Sequence, residues 1–225
     1  MAEQLNQSHF SMVLAATVHD IKNALAIISQ QLQSLLVELD HQDLPQISVL
    51  QQEANRMNGM LVQLLTLYKH DNQQLAVNIG FHNVYDFLEE QYLSFDELLE
   101  QKNIAIIMAV DDELEWAFDL NLLSVLISNI ISNTIRYANS EIRISAFEAD
   151  NMLCIEIHDN GEGFPEQMLD EQNQAILGIS SSSSKTGLGL YFAKLIANLH
   201  RNGDKMGNIK LTNTKTGGCF KINLP

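Results

Sequence analysis

The longest regular pattern in this chain, residues 8–39, constrains its fold more than any other feature. Apolar side chains recur there at steps of three or four residues, and neither Gly nor Pro interrupts the run. This spacing is typical of a long helix with one apolar stripe. A second run of the same kind, residues 47–68, follows a turn at residues 41–45, where Pro45 suits the start of a helix. The sequence therefore predicts an antiparallel helical hairpin within residues 1–73.

A single hairpin would leave one side of its apolar stripe in contact with water. Four further apolar residues widen that stripe: Leu36, Met60, Leu65 and Leu67. Pairing two hairpins would bury the stripe on both chains, so we expect a homodimer held together by a four-helix bundle.

The first helix carries a polar pentapeptide that starts at His19 and ends at Asn23. On a heptad that places Ile21 in the apolar seam, His19 and Asn23 share the exposed face, and Asp20 lies beside the histidine. Imidazole is nucleophilic near neutral pH, and a neighbouring carboxylate can orient its ring and accept its proton. An amide one turn away could hold a water molecule. By itself the pentapeptide also fits an ordinary surface histidine.

Composition excludes several classes of partner. The net charge is −15 over 225 residues, and Lys and Arg do not cluster, so binding to nucleic acid or to an anionic membrane is not expected. No apolar run reaches the roughly 20 residues that span a bilayer. Cys154 and Cys219 lie in apolar runs without the spacing of metal ligands. We therefore expect a cytoplasmic protein with buried free thiols.

Residues 74–225 change to a mixture of strand and helix patterns. Expected strands cover residues 75–79, 104–110, 114–118, 142–148, 152–158, 208–214 and the end of the chain to 224. Three helices are expected. The first covers residues 82–101, and the second follows its N-cap Asp119 and runs through Tyr137. The third covers residues 188–200, after a loop-rich segment that ends near 186. Without regular alternation of strand and helix, this order favours an α+β sandwich with a mostly antiparallel sheet covered by helices.

Polar residues interrupt the otherwise apolar helix that ends at Tyr137. Asn129, Asn133 and Arg136 lie at positions i, i+4 and i+7, so they share one face. Two amides and a guanidinium on one face suit a hydrated metal ion and a polyphosphate. Ordinary surface asparagines remain the simpler interpretation.

A glycine-containing segment, DNGEGF at residues 159–164, directly follows an expected strand. Gly161 and Gly163 allow a tight turn and the close approach of a ligand to the backbone. The carboxylate of Asp159 could accept a hydrogen bond from an exocyclic amine. An ordinary turn capped by Asp159 fits the same residues.

A second glycine-containing segment, residues 185–190, leads into the last expected helix. The backbone N–H groups of Gly187 and Gly189 at a helix N-terminus can receive phosphate oxygens, with Lys185 and Thr186 nearby. A glycine-rich helix start without a ligand is the alternative.

The order of these motifs is more specific than any one of them. An asparagine-rich helix, DNGEGF, a flexible loop, TGLGL before a helix and a GGCFKINLP ending resemble the ATP-binding domain of the histidine kinases, in the gyrase–Hsp90–MutL superfamily. His-Asp-Ile-Lys-Asn resembles the phosphoacceptor box on the dimerisation helix of the same kinases. The resemblance extends over residues 8–225. It implies a dimerisation and phosphotransfer hairpin over residues 1–73 and a catalytic ATP-binding domain over residues 74–225.

The resemblance also implies a role for each motif residue. His19 would be phosphorylated, Asp20 would assist as the base, and Asn23 would position water for dephosphorylation of a partner. In the second domain, Asn133 would hold Mg²⁺ and Asp159 would bind the adenine amine. The rest of the nucleotide site would comprise Asn129, Arg136, Tyr137, Gly161, Gly163, Lys185, Thr186, Gly187, Leu188 and Gly189.

The expected function is that of a histidine kinase in a two-component system. It would phosphorylate His19 from ATP and Mg²⁺, pass the phosphoryl group to an aspartate on the receiver domain of a response regulator, and dephosphorylate that regulator. With no segment left for a sensor, we expect a separate sensory partner protein. Two alternatives stay open: a phosphotransfer protein of kinase-like architecture that does not use ATP, and a nucleotide-gated scaffold.

Overall fold

The computed structural model describes residues 44–174 and 187–225, together with positions 21, 23, 25, 27, 28 and 31. The chain divides into two units, Met1–Leu75 and Ala76–Pro225. Predictions that concern His19, Asp20, Lys185 and Thr186 lie outside the described residues. Among the described residues, no helix combines the length and apolar character needed to cross a membrane.

The N-terminal unit contains a 28-residue helix, α1 (Leu44–Asp71). This confirms the second predicted helix, and Pro45 lies in its first turn, where a missing N–H costs no helical hydrogen bond. The six described positions between 21 and 31 are helical as well. The complete hairpin and the four-helix bundle stay predictions, because most of the first helix lies outside the described residues.

The C-terminal unit consists of short strands and helices. Its strands are β1 (Ile79–Asn83), β2 (Ala105–Val110), β3 (Glu115–Asp119), β4 (Glu141–Ala149), β5 (Met152–Asp159), β6 (Arg201–Asn202), β7 (Lys205–Met206), β8 (Asn208–Asn213) and β9 (Gly218–Leu224). Its helices are α2 (Val84–Leu93), α3 (Asp96–Lys102), α4 (Leu120–Tyr137), α5 (Glu166–Gln174) and α6 (Gly187–Leu199).

Five strands form the main sheet in the order β2-β4-β5-β9-β8, while β1 pairs with β3 and β6 with β7. Only the β2–β4 pair of the main sheet is parallel. Along β5, Leu153, Ile155 and Ile157 are buried beneath α4, which in turn packs against α6. The intervening side chains of β5 point to the opposite face, because successive residues of a strand alternate. This arrangement confirms the predicted α+β class with a mostly antiparallel sheet covered by helices.

The start of the unit differs from the sequence prediction. The strand expected at residues 75–79 begins only at Ile79, because β1 is defined by its pairing with β3, a non-local contact. The helix expected over residues 82–101 begins at Val84, since the Asn83 side chain accepts a hydrogen bond from the Asp86 N–H at 2.9 Å and caps it. That helix also breaks between α2 and α3.

Two further elements lie where no regular structure was predicted. The segment expected to be loop contains α5, which packs against β8 through Gln172: its Oε1 accepts the Leu211 N–H at 2.7 Å. The short β6–β7 ribbon follows α6. The position of α5 depends on this tertiary contact, whereas the β6–β7 pairing is local and joins Arg201 to Met206 and Asn202 to Lys205.

Asp119 joins three parts of the C-terminal unit. Its Oδ1 accepts the Leu122 N–H at 3.0 Å, which confirms the predicted N-cap of α4, and its Oδ2 accepts the Asn78 N–H at 2.6 Å. The Asp119 N–H donates to Nε2 of His200 at 3.0 Å, and Nδ1 of His200 lies 2.8 Å from the Ile196 carbonyl. With one nitrogen accepting and the other donating, the buried His200 ring is neutral.

Burial lowers the pKa of His200, although the Ile196 carbonyl and the Asp119 charge oppose this shift. The unfolded chain, with an ordinary histidine pKa near 6.5, therefore binds this proton at a higher pH than the folded chain does. We predict that the His200 contribution to stability is lost as pH falls below about 6.5, with a slope of up to about 1.4 kcal/mol per pH unit. Urea unfolding of the full chain between pH 7.5 and 5 measures this slope.

His200→Gln should have lower stability at neutral pH but a shallower pH dependence. The control is His70→Gln, which removes an exposed histidine and should keep the wild-type slope. An unchanged slope in His200→Gln would show that this buried imidazole is not the group responsible.

Candidate active site

The polar face of α4 contributes the first group of candidate residues. The Asn133 Nδ2–H donates to Oδ1 of Asn129 at 3.3 Å, so the two amides lie side by side on one face. Asn129 is half-buried, whereas Asn133 and Arg136 are exposed, and Tyr137 ends the helix with 63% of its surface exposed. The amide oxygen of Asn133 accepts no hydrogen bond from the described residues, which leaves it available to a hard cation.

Asp159 ends β5 and supplies the second group. Its Oδ1 accepts the Gly161 N–H at 2.8 Å and the Gly218 N–H at 3.3 Å. The capped turn that the sequence offered as a simpler interpretation is therefore present. It uses only one carboxylate oxygen, however, and Oδ2 accepts no hydrogen bond within the part of the chain that the structure describes. That oxygen can accept a hydrogen bond from a ligand.

Glycine is required at three positions around this carboxylate, because a side chain there would collide with neighbouring atoms. A Cβ on Gly161 would lie 2.1 Å from the Tyr137 carbonyl oxygen, and one on Gly217 would lie 2.2 Å from the Asp159 carbonyl oxygen. Gly163 has a φ of +80°, and its Cβ would lie 2.7 Å from Oδ1 of Asn213. These approaches bring the end of α4 and the β8–β9 turn against the DNGEGF segment.

Two asparagines that hold this segment were not among the predicted site residues. Oδ1 of Asn160 accepts the N–H groups of residues 139–141 at 3.1, 3.0 and 3.1 Å, which fixes the connection between α4 and β4. Asn213 accepts the Phe164 N–H at 2.7 Å and donates to the Phe164 carbonyl at 2.8 Å. Asn160 could have been noticed as part of the turn motif, but Asn213 is 49 residues from its partner and gives no local signal.

The third glycine segment is described only from Gly187, where α6 begins. Gly189 lies in the first turn of α6, and among the described residues a Cβ there would meet no atom within 4 Å. The side chain of Leu188 lies outside the described residues. In the N-terminal unit, Asn23 is helical and exposed.

The residues present fit a nucleotide with a divalent cation. Oδ2 of Asp159 accepts no hydrogen bond from the described residues, so it can bind an exocyclic amine. The amide oxygens of Asn129 and Asn133 are ligands of the kind that Mg²⁺ accepts, and Arg136 can bind phosphate. The backbone N–H groups at the start of α6 can receive phosphate oxygens.

Comparison with known proteins agrees with this donor set. Residues 118–225 match the family described as histidine kinase-, DNA gyrase B-, and HSP90-like ATPase. These residues form an ATP-binding domain of the histidine kinase type. The match begins at Phe118, one residue before the Asp119 cap, and includes α4, the DNGEGF segment and α6.

Two histidine kinases are similar in sequence to this chain over nearly its whole length. Histidine kinase P4 of Formosa agariphila is 24% identical over 99% of this chain and 17% of its own length. Sensor histidine kinase CssS of Bacillus subtilis is 26% identical over 92% of this chain and 45% of its own length. The chain thus spans less than half the length of these relatives.

A solved structure shares the fold. Full-length ShkA in complex with AMPPNP has a TM-score of 0.65 and 16% sequence identity, over 95% of this chain and 45% of that one. At this identity the likeness shows a shared fold.

We predict that Gly161→Ala destabilises the ATP-binding domain and lowers its affinity for nucleotide. The added methyl group would meet the Tyr137 carbonyl, and relieving that contact should cost about 1–3 kcal/mol and move Asp159. Urea unfolding and titration with a fluorescent ATP analogue measure the two effects. Gly59→Ala is the control: a Cβ there, in a helix interior, meets no atom of the described residues within 4 Å, so stability should rise by up to about 1 kcal/mol. Wild-type stability and affinity in Gly161→Ala would contradict the described contact.

Proposed function

We propose that this chain is the core of a histidine kinase that phosphorylates itself on His19 from ATP and Mg²⁺. It then transfers the phosphoryl group to an aspartate on the receiver domain of a response regulator, and it also removes that phosphoryl group. The observation that carries the proposal is the Asp159 carboxylate, which is held in a glycine-lined turn with one oxygen left for a ligand. Use of ATP places the reaction in the cytoplasm.

Within the ATP-binding domain we assign the roles that the resemblance to histidine kinases implies. Asp159 binds the adenine amine, and Asn133 holds Mg²⁺ with Asn129 beside it. Mg²⁺ neutralises charge on the phosphates when bound. Phosphate and ring contacts are assigned to Arg136, Tyr137, Gly161, Gly163, Lys185, Thr186, Gly187, Leu188 and Gly189.

The transfer step needs a nucleophile from the N-terminal unit. A nitrogen of the His19 ring attacks the γ-phosphorus, the bond to the ADP oxygen breaks, and Asp20 accepts the ring proton. The N–P bond that forms stores the phosphoryl group until the receiver aspartate attacks it. Holding donor and acceptor in line accounts for most of the rate in such reactions.

Exposed apolar residues on the N-terminal helices support a homodimer. Leu50, Met57 and Leu64 recur every seven residues along α1, and 56, 43 and 37% of their surfaces are exposed in the single chain. Ile21 and Ile28 repeat the same spacing, with 43 and 46% exposed. A row of this kind at heptad spacing is the surface that a second hairpin would cover in a four-helix bundle.

Label from γ-labelled ATP tests the kinase proposal. We predict acid-labile, alkali-stable label on the wild-type chain in the presence of Mg²⁺, and its loss in His19→Gln. His70→Gln is a matched control, because His70 is also followed by an aspartate on an exposed helix and should retain full labelling. Asp159→Asn should lose both nucleotide binding and label.

The other outcomes separate the alternatives. Nucleotide binding without label on His19 would favour the nucleotide-gated scaffold. Absence of nucleotide binding would favour the phosphotransfer protein, which has no need of ATP.

A second prediction concerns Asn23. If its amide positions the attacking water, Asn23→Ala should slow dephosphorylation of the phosphorylated regulator by about tenfold or more while His19 is still labelled. Release of phosphate from the phosphorylated receiver domain measures this rate, with Gln31→Ala, another exposed helical amide, as the control. Dephosphorylation at the wild-type rate in Asn23→Ala would remove the phosphatase assignment without affecting the kinase proposal.

A further inference from the structure

Three side chains with metal-ligand chemistry meet on the face of the main sheet opposite to α4. Glu156 and His158 are two residues apart on β5 and therefore share a face, and Cys219 on β9 is the direct cross-strand partner of His158. Their ligand atoms all lie within 4.8 Å of one another. Among the described residues this is the one such cluster of His, Cys and carboxylate groups.

The cluster is separate from the nucleotide site. Ile155, Ile157 and Asp159 alternate with its members and point to the side of the sheet that carries α4. None of its residues is assigned above to the binding of ATP or Mg²⁺. Mg²⁺ also prefers oxygen ligands, whereas this cluster supplies one sulfur, one nitrogen and one oxygen.

Within the cluster, the pKa of the Glu156 carboxyl is lowered, whereas the pKa of the Cys219 thiol is raised. Burial opposes ionisation of Glu156, but hydrogen bonds from Lys221 and His158 outweigh it and lower the pKa of the carboxyl. Burial raises the pKa of the Cys219 thiol, and the Glu156 charge adds to this effect. A carboxylate, an imidazole and a thiol therefore share a half-buried site, with 22 and 30% of the Glu156 and His158 side chains exposed.

Two basic residues flank the site without filling it. The Lys221 Nζ lies 3.0 Å from Oε1 of Glu156, whereas the His158 Nε2 lies 3.2 Å from the other oxygen, Oε2. Arg143 is the cross-strand neighbour of His158 on β4 and is exposed. Because Lys221 engages only Oε1, Oε2 can turn toward a metal ion while the salt bridge persists.

We propose that Glu156, His158 and Cys219 bind a borderline transition-metal ion such as Zn²⁺. Zinc–ligand bonds of about 2.0–2.3 Å place the ligand atoms of a tetrahedral site about 3.3–3.8 Å apart. The observed separations approach this range, so small side-chain rotations complete the site. Water occupies the fourth position on the exposed side. The thiol loses its proton to solvent when the sulfur–metal bond forms, and no redox change occurs.

Competition between the full chain and a chromophoric chelator for Zn²⁺, without nucleotide, tests the proposal. We expect one ion per chain, with affinity reduced by about tenfold or more in His158→Gln and in Cys219→Ser. Cys154→Ser and His70→Gln are matched controls that remove a buried thiol and an exposed imidazole outside the cluster, and both should bind as the wild type does. Thermal unfolding in chelator checks that each variant is folded.

Cobalt substitution gives a spectroscopic readout that can be recorded on the wild-type chain itself. Co²⁺ bound to the wild-type chain should show a thiolate-to-cobalt charge-transfer band, which Cys154→Ser keeps and Cys219→Ser loses. Absence of that band in the wild type, or Zn²⁺ affinity that is equal in wild type, His158→Gln and Cys219→Ser, would overturn the proposal. These measurements involve neither ATP nor His19, so they do not depend on the kinase assignment.

Discussion

The pairing of β5 with β9 is the interaction on which the rest of the ATP-binding domain depends. This pair lies inside the main sheet. Ile157 on β5 is paired with Phe220 on β9, and Ile155 with Ile222, and all four side chains are buried. The same register brings the Gly218 N–H to Asp159, where the strand ends. One set of backbone hydrogen bonds thus fixes both the apolar core and the carboxylate at its edge.

The two faces of β5 have different chemistry because side chains alternate along a strand. One face carries the apolar side chains beneath α4 and ends at Asp159. The other carries Glu156 and His158, which meet Cys219 across the β5–β9 pair. His158 directly precedes Asp159, and Cys219 directly follows Gly218, so the proposed metal site and the nucleotide site use neighbouring residues on opposite sides of one sheet.

The helical side of the domain is held by a polar group as well as by apolar packing. Asp119 and His200 are buried and hydrogen-bonded to each other. The Asp119 carboxylate also accepts hydrogen bonds from the first turn of α4 and from the residue before β1. A buried polar network that is fully hydrogen-bonded fixes a single arrangement of the elements that it joins. Here it fixes the start of α4, and hence the direction in which Asn129 and Asn133 point.

The sequence by itself determined those elements that depend on interactions between residues close together in the chain. The Asp119 cap, the spacing of polar residues on α4 and the alternation along β4 and β5 were predictable, because each depends on neighbours within a few residues. Tertiary structure decided the start of β1, the two hydrogen bonds between Asn213 and Phe164, and the meeting of Cys219 with Glu156 and His158. Those contacts join residues 32 to 63 positions apart, for which sequence spacing alone gives no signal. The motifs thus identified the kind of site, and strand register determined which atoms meet there.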